Sequence, residues 1–263
     1  MNDISFHYRI DEDEGTELLT RAFFNGQQCE CLIDTGAHTT SIAWNEISAG
    51  LKTVGTSKSG TAFGKSHFDN VVLQDFRWGP ISRTNLTLQR SQKDQPHART
   101  LIAMDVMGEH CCEFRFDEDR LLVGAQSFEG QALILGKRKH SYTHVQVGQT
   151  TGALALFDSG AGLSCVDAQF IKDHPQHFTA DGSSIGIDAG GRKMETPLYQ
   201  MSGLVCGGMA FDTHRVVGLD LSFIKGDIDE PMRMIIGFST FKQARWTFDY
   251  PNKRWAVVPN PVR

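Results

Sequence analysis

Short apolar runs recur along the chain, each closed off by glycine, asparagine or a charged turn, and no long stretch keeps a helical period. That pattern predicts strands joined by tight turns. Leu19-Thr20-Arg21-Ala22-Phe23-Phe24 and Gln27-Gln28-Cys29-Glu30-Cys31-Leu32-Ile33 flank Asn25-Gly26, the signature of a two-residue hairpin turn. In the second half Thr143-His144-Val145-Gln146-Val147 and Ala153-Leu154-Ala155-Leu156-Phe157 flank a turn that starts at Gly148-Gln149.

The similarity continues past the hairpins. Leu101-Ile102-Ala103-Met104-Asp105-Val106-Met107-Gly108 corresponds to Met234-Ile235-Ile236-Gly237-Phe238-Ser239-Thr240-Phe241, each a buried strand running into a short helix. Phe114-Arg115-Phe116-Asp117 before Leu121-Leu122-Val123 matches Trp246-Thr247-Phe248-Asp249 before Trp255-Ala256-Val257-Val258, a closing hairpin in both. A repeat at this scale decides the fold reading. It predicts an all-β chain of two similar lobes, residues 1–130 and 131–263, with a strand at Leu133-Ile134-Leu135 and short helices after Ile42 and near Asp105, Asp167 and Thr240. Each half also holds one glycine-bearing hairpin. Gly60-Thr61-Ala62-Phe63-Gly64 is the candidate flap, and Ile187-Asp188-Ala189-Gly190-Gly191-Arg192 is its counterpart.

The 263 residues suffice for two ordinary cores. A net charge of −5, with no basic run beyond Lys137-Arg138-Lys139-His140, argues against nucleic acid as a partner. Nothing approaches the roughly 18 to 20 apolar residues of a membrane span, and the start of the chain lacks a basic region followed by an apolar one, so a cytoplasmic location is expected. Cys29, Cys31, Cys111, Cys112, Cys165 and Cys206 lack framework spacing and are expected as thiols. No paired Cys-x-x-Cys supports zinc, and neither metal nor cofactor is expected. Asp11-Glu12-Asp13-Glu14 lacks the alternating ligands of a calcium loop and reads as a solvated turn. His38, the His140/His144 pair and the His174/His177 pair are given no role, and Asp105 is read as a helix cap.

The chemistry concentrates in Asp34-Thr35-Gly36 and Asp158-Ser159-Gly160, each delivered by an apolar strand and followed by Ala37 or Ala161. One such tripeptide is a common turn. Two copies at equivalent places in a repeat point to two halves of one site. Carboxylates held together cannot both ionise cheaply, so they share a proton. The ionised member can then take a proton from water while the protonated one polarises a carbonyl. Glycine lets backbone approach the acids, and the Thr35 and Ser159 hydroxyls can bond between the loops.

These motifs resemble those of the pepsin-like and retropepsin-like aspartic proteases, in which the acid lies in Asp-Thr/Ser-Gly and an apolar-apolar-Gly segment supports it. Ile235-Ile236-Gly237 matches that segment, whereas Leu101-Ile102-Ala103 carries Ala for Gly. The resemblance implies β-barrel-like lobes with pseudo-twofold symmetry, an aspartic endopeptidase with Asp34 and Asp158 as catalytic acids, and an extended peptide or protein substrate bound by a monomer. Each lobe is closer in size to a retropepsin protomer. The alternative is a non-catalytic peptide-binding module of the same fold. Ala37 and Ala161 stand where pepsin-like enzymes carry a hydroxyl; its loss leaves the ionised pair less stabilised and implies activity at mildly acidic to neutral pH. The flap tyrosine of pepsins is not evident, and the resemblance implies Phe63 as the residue at a comparable place.

Overall fold

The computed structural model describes residues 2–61, 64–95, 98–124, 128–187, 192–222, 224 and 228–261. Ala62 and Phe63, in the candidate flap, and residues 188–191 of its counterpart lie outside the described residues.

The first half contains β1 (Asp3–Ile10), β2 (Thr16–Phe24), β3 (Gln27–Ile33), β4 (Ser41–Ile42), β5 (Thr53–Thr61) and β6 (Gly64–Trp78). It continues with β7 (Ile81–Ser91), β8 (Leu101–Ile102), β9 (Cys111–Arg115) and β10 (Arg120–Val123), and holds helices α1 (Glu46–Ala49) and α2 (Met104–Met107). The second half opens with β11 (Gln131–Ala132), β12 (Ile134–Leu135), β13 (Ser141–Val147), β14 (Thr150–Phe157), β15 (Ser164–Asp167) and α3 (Ala168–Asp173). Then come β16 (Phe178–Ile187), β17 (Lys193–Met201), β18 (Leu204–Cys206), β19 (Met209–Ala210), β20 (His214–Leu219), β21 (Met232–Ile236), α4 (Phe238–Phe241), β22 (Ala244–Asp249) and β23 (Arg254–Pro259). The chain is mostly β. Among the described residues no helix is long and apolar enough to cross a membrane.

Local chemistry explains the hairpins. Asn25 and Gly26 take φ values of 50° and 79°, the left-handed pair that a two-residue turn needs. The Asn25 side-chain oxygen also accepts from the Gln74 and Asp75 amides, both at 3.0 Å, which docks the turn against β6.

Both halves use the same strand pairings. β3 runs parallel to β8, with Ile33 opposite Ile102, and β14 runs parallel to β21, with Phe157 opposite Ile236. β4 is parallel to β7 and antiparallel to β8, as β15 is to β20 and β21. The halves are also sewn together, because the run β11-β23-β22-β9-β10-β1 interleaves their strands. In it Phe114 of β9 lies opposite Trp246 of β22.

One apolar core runs through both halves. At its centre Phe157 meets Trp246, Phe248 and Trp255 with ring centroids 5.7, 5.0 and 5.1 Å away. Phe157 directly precedes Asp158. Burying each such ring contributes roughly 1.5–3 kcal/mol, so the segment that carries the second acid is anchored in a cluster of buried aromatic rings.

Candidate active site

Each acid is positioned by the parallel strand behind it. The Asp34 amide donates to the Ile102 carbonyl at 3.0 Å, and the Asp158 amide donates to the Ile236 carbonyl at 2.9 Å. Beyond each acid the chain is pinned again: Met104 N–H donates to the Ala37 carbonyl at 3.1 Å, and Phe238 N–H to the Ala161 carbonyl at 2.8 Å. A Cβ on Gly237 would stand 2.6 Å from the carbonyl oxygens of Ala161 and Leu163, so this place requires glycine. Ala103, its counterpart, is fully buried and packs its methyl with Leu19, Leu32, Leu101 and Ala37.

Two crossed pairs of hydrogen bonds join the loops. Thr35 N–H donates to Ser159 Oγ at 3.1 Å, and Thr35 Oγ1–H donates to the Phe157 carbonyl at 3.1 Å. In return Ser159 N–H donates to Thr35 Oγ1 at 2.9 Å, and Ser159 Oγ–H donates to the Ile33 carbonyl at 2.7 Å. Both residues are buried, at 1% and 2% exposure, so water cannot replace these bonds. The two glycines complete the exchange. A Cβ on Gly160 would stand 2.6 Å from Cγ of Asp34, and one on Gly36 would come closer still to the Asp158 carboxyl. Each acid therefore rests against the backbone of the opposite loop.

Asp34 and Asp158 lie in contact. Burial first, and then the charge of Asp158, hold Asp34 well above the usual carboxylate range; the Ala37 and Gly36 amides offset this in part. Burial also raises Asp158, against hydrogen bonds from the Gly160 amide, from Asp34 and from the Ala161 and Gly36 amides. Gly160 N–H donates to Asp158 Oδ1 at 2.9 Å. Two buried carboxyls in contact disfavour a second negative charge, so the pair holds one proton between them. In that arrangement both carboxyls have partners and only one charge is buried.

Behind the acids a polar brace recurs with altered residues. Ala103 N–H donates to Thr40 Oγ1 at 3.1 Å, and Gly237 N–H donates to Ser164 Oγ at 3.0 Å. Thr40 Oγ1–H donates to Asp105 Oδ1 at 2.6 Å, and the Thr40 amide donates to the same carboxyl at 3.0 Å. Ser239 stands at the place of Asp105, and its Oγ accepts from the Ser164 amide at 3.0 Å. This corrects the reading of Asp105 as a helix cap. The cap position of α2 is Ala103, and Asp105 sits one residue inside the helix, where its carboxyl secures the chain just past the first acid. Burial raises its pKa, partly offset by the Thr40 bonds.

The described residues of the candidate flap, Gly60, Thr61 and Gly64, lie in the β5–β6 ladder, with Gly60 opposite Lys65 and Thr61 opposite Gly64. The Arg192 guanidinium, at the foot of β17, lies directly against Gly64, so the two glycine-bearing hairpins approach each other. Sequence reasoning named both hairpins but had no signal for their meeting. It also missed two contacts between the halves, Thr16 N to Gly162 O at 3.4 Å and His38 Nδ1–H to Arg138 O at 2.6 Å.

Set against known proteins, the chain matches no family model and no curated protein. Among the described residues no group of three or more His, Cys, Asp and Glu side chains is arranged to hold a metal ion.

Proposed function

We propose that the chain is an aspartic endopeptidase of two pseudo-twofold, barrel-like lobes, residues 1–130 and 131–263, resembling a pepsin in connectivity and a retropepsin protomer in the size of each lobe. One observation carries this reading: each loop glycine lies against the acid of the other loop, with Thr35 and Ser159 bonded crosswise beneath. That arrangement has little purpose except to hold two carboxyls together where like charge alone would separate them.

Water held between the acids loses a proton to Asp158 as its oxygen attacks the peptide carbonyl, and Asp34 gives its proton to the carbonyl oxygen. The tetrahedral intermediate collapses when Asp158 passes its proton to the leaving nitrogen, and one hydroxyl of the intermediate returns a proton to Asp34 as the carbonyl re-forms. Thr35 and Ser159 hold the loops, while Gly60, Thr61 and Gly64 place backbone over an extended peptide. The missing hydroxyls at Ala37 and Ala161 put the working range at mildly acidic to neutral pH.

The test is peptide cleavage between about pH 3 and 8 by wild type, Asp34→Asn and Asp158→Asn, together with thermal protection by pepstatin. Cleavage by wild type alone supports the reading. Peptide binding without cleavage would make the chain a non-catalytic peptide-binding module. A rate profile confined to roughly pH 2–3 would refute the effect assigned to the alanines.

A further inference from the structure

Two of the six cysteines share one strand, the one that delivers the first acid. Cys29 and Cys31 lie two residues apart on β3, so their side chains leave the same face. Cys29 is partly exposed and Cys31 is buried. The two thiols are hydrogen-bonded to each other, and Cys31 Sγ also lies 3.5 Å from the Cys29 carbonyl. An accessible sulfur thus has a second sulfur directly behind it, in the core.

The surroundings make the two unequal. The hydrogen bond from the Cys31 thiol favours negative charge on Cys29, and the Thr100 hydroxyl adds a second. Together they outweigh burial and the charge of Glu30, which brings Cys29 down to about 7. The bond to Cys29, followed by burial, holds Cys31 well above the ordinary thiol value. Elsewhere burial pushes Cys165 up to about 12 and raises Cys112 and Cys206 as well. The thiolate is the form that attacks an oxidant, so Cys29 is the reactive member of its pair.

Their place on β3 ties these sulfurs to the acids. The strand runs from Cys31 through Leu32 and Ile33 to Asp34. The Ile33 carbonyl accepts from Ser159 Oγ–H at 2.7 Å, and the Leu32 amide donates to the Thr100 carbonyl at 2.9 Å. In an extended strand, Cα atoms two residues apart are separated by about 6.4–6.8 Å, the upper edge of what a disulfide spans. The preferred span is roughly 5.5–6 Å, so a bridge draws β3 in by about 1 Å just before the first acid.

We propose that Cys29 and Cys31 form a peroxide-reactive dithiol, with Cys29 as nucleophile and Cys31 as resolving thiol, whose disulfide deforms β3 and lowers the activity of the acid pair. The Cys29 thiolate attacks one oxygen of hydrogen peroxide, forming an S–O bond as the O–O bond breaks, and the departing hydroxide takes up a proton to become water. The Cys31 sulfur then attacks the sulfenic sulfur; the S–S bond forms, the S–O bond breaks, and the hydroxide leaves with the Cys31 proton as a second water. The dithiol loses two electrons, and the peroxide gains them. The effect on cleavage rests on the protease reading above, whereas the bridge itself does not.

The test treats the reduced protein with hydrogen peroxide, blocks the remaining thiols and maps the tryptic peptide 22–52, which holds Cys29 and Cys31 and no other cysteine. That peptide should lose two hydrogens, and dithiothreitol should restore them. Cys31→Ala should instead leave a sulfenic acid on Cys29 that dimedone captures, and Cys29→Ser should leave Cys31 unmodified. Peptide cleavage by wild type should fall about ten-fold or more as the bridge forms and return on reduction, while Cys29→Ser keeps its rate in peroxide. A bridge in a chain that cleaves no peptide even when reduced would sink the protease reading and leave the dithiol standing. A peptide 22–52 that stays reduced in peroxide, or a bridge that leaves cleavage unchanged, would overturn the inference.

Discussion

Replacing Asp34 by asparagine removes one of two touching carboxyls while keeping its size and most of its hydrogen bonds. The substituted amide can still accept from the Gly36 and Ala37 amides and donate to Asp158. What disappears is the shared proton. In the wild type, burial and the charge of Asp158 raise Asp34 well above the ordinary carboxylate value, whereas in the unfolded chain both acids titrate near about 3.9. Between those limits the folded state binds the extra proton. Stability therefore falls as pH rises through the window, by about 1.4 kcal/mol per pH unit for one proton. The variant lacks this contribution, so its stability relative to wild type should climb by about 1.4 kcal/mol per pH unit across the window and then level off. Urea denaturation of both proteins in half-unit steps from about pH 4 to 8 measures the difference directly. Two curves running parallel over that range would refute the shared proton and, with it, contact between the acids.

Thr35→Val removes a hydroxyl that serves the Phe157 carbonyl and the Ser159 amide, both buried. It should cost roughly 2–4 kcal/mol in urea denaturation, and Thr35→Ser should recover most of that. Gly36→Ala drives a methyl into the Asp158 carboxyl; kcat/KM on a cleavable peptide should drop by about 100-fold or more. Arg90, 5% exposed, donates to Ser48 O at 2.8 Å, Thr53 Oγ1 at 3.0 Å and Asp69 Oδ2 at 2.7 Å, joining α1 to the root of the candidate flap. Arg90→Met should destabilise the protein by roughly 2–4 kcal/mol and speed amide hydrogen exchange across β5 and β6. It also moves the Asp69 pKa up toward the ordinary value, since the Arg90 bond is the largest cause holding it down, while the Gln92 bond remains. The stability this bond supplies is present above the unfolded carboxylate range and is lost as pH falls through the lowered value.

The two acids and their glycines were legible in the sequence because local rules govern each copy: an apolar strand, an acid, a hydroxyl and a residue without Cβ. The hairpins were legible for the same reason, as were the short helices near Asp105, Asp167 and Thr240. Asp105 was misread because an acid just before an apolar helical turn looks like a cap; only the approach of Thr40, distant in sequence, gives it another partner. The meeting of Gly64 with Arg192, and the contacts of Thr16 with Gly162 and of His38 with Arg138, left no local signal at all.

The sequence by itself determined the strands, the turns and the presence of two equivalent acidic loops, since hydrophobic alternation and turn chemistry act over a few residues. The tertiary structure alone decided that Gly36 would rest on Asp158 and Gly160 on Asp34, and so that the two carboxyls would meet. That outcome depends on β9 pairing with β22 and on Phe157 entering a core built from both halves. Contacts between residues more than a hundred positions apart are settled by the packing of the whole chain.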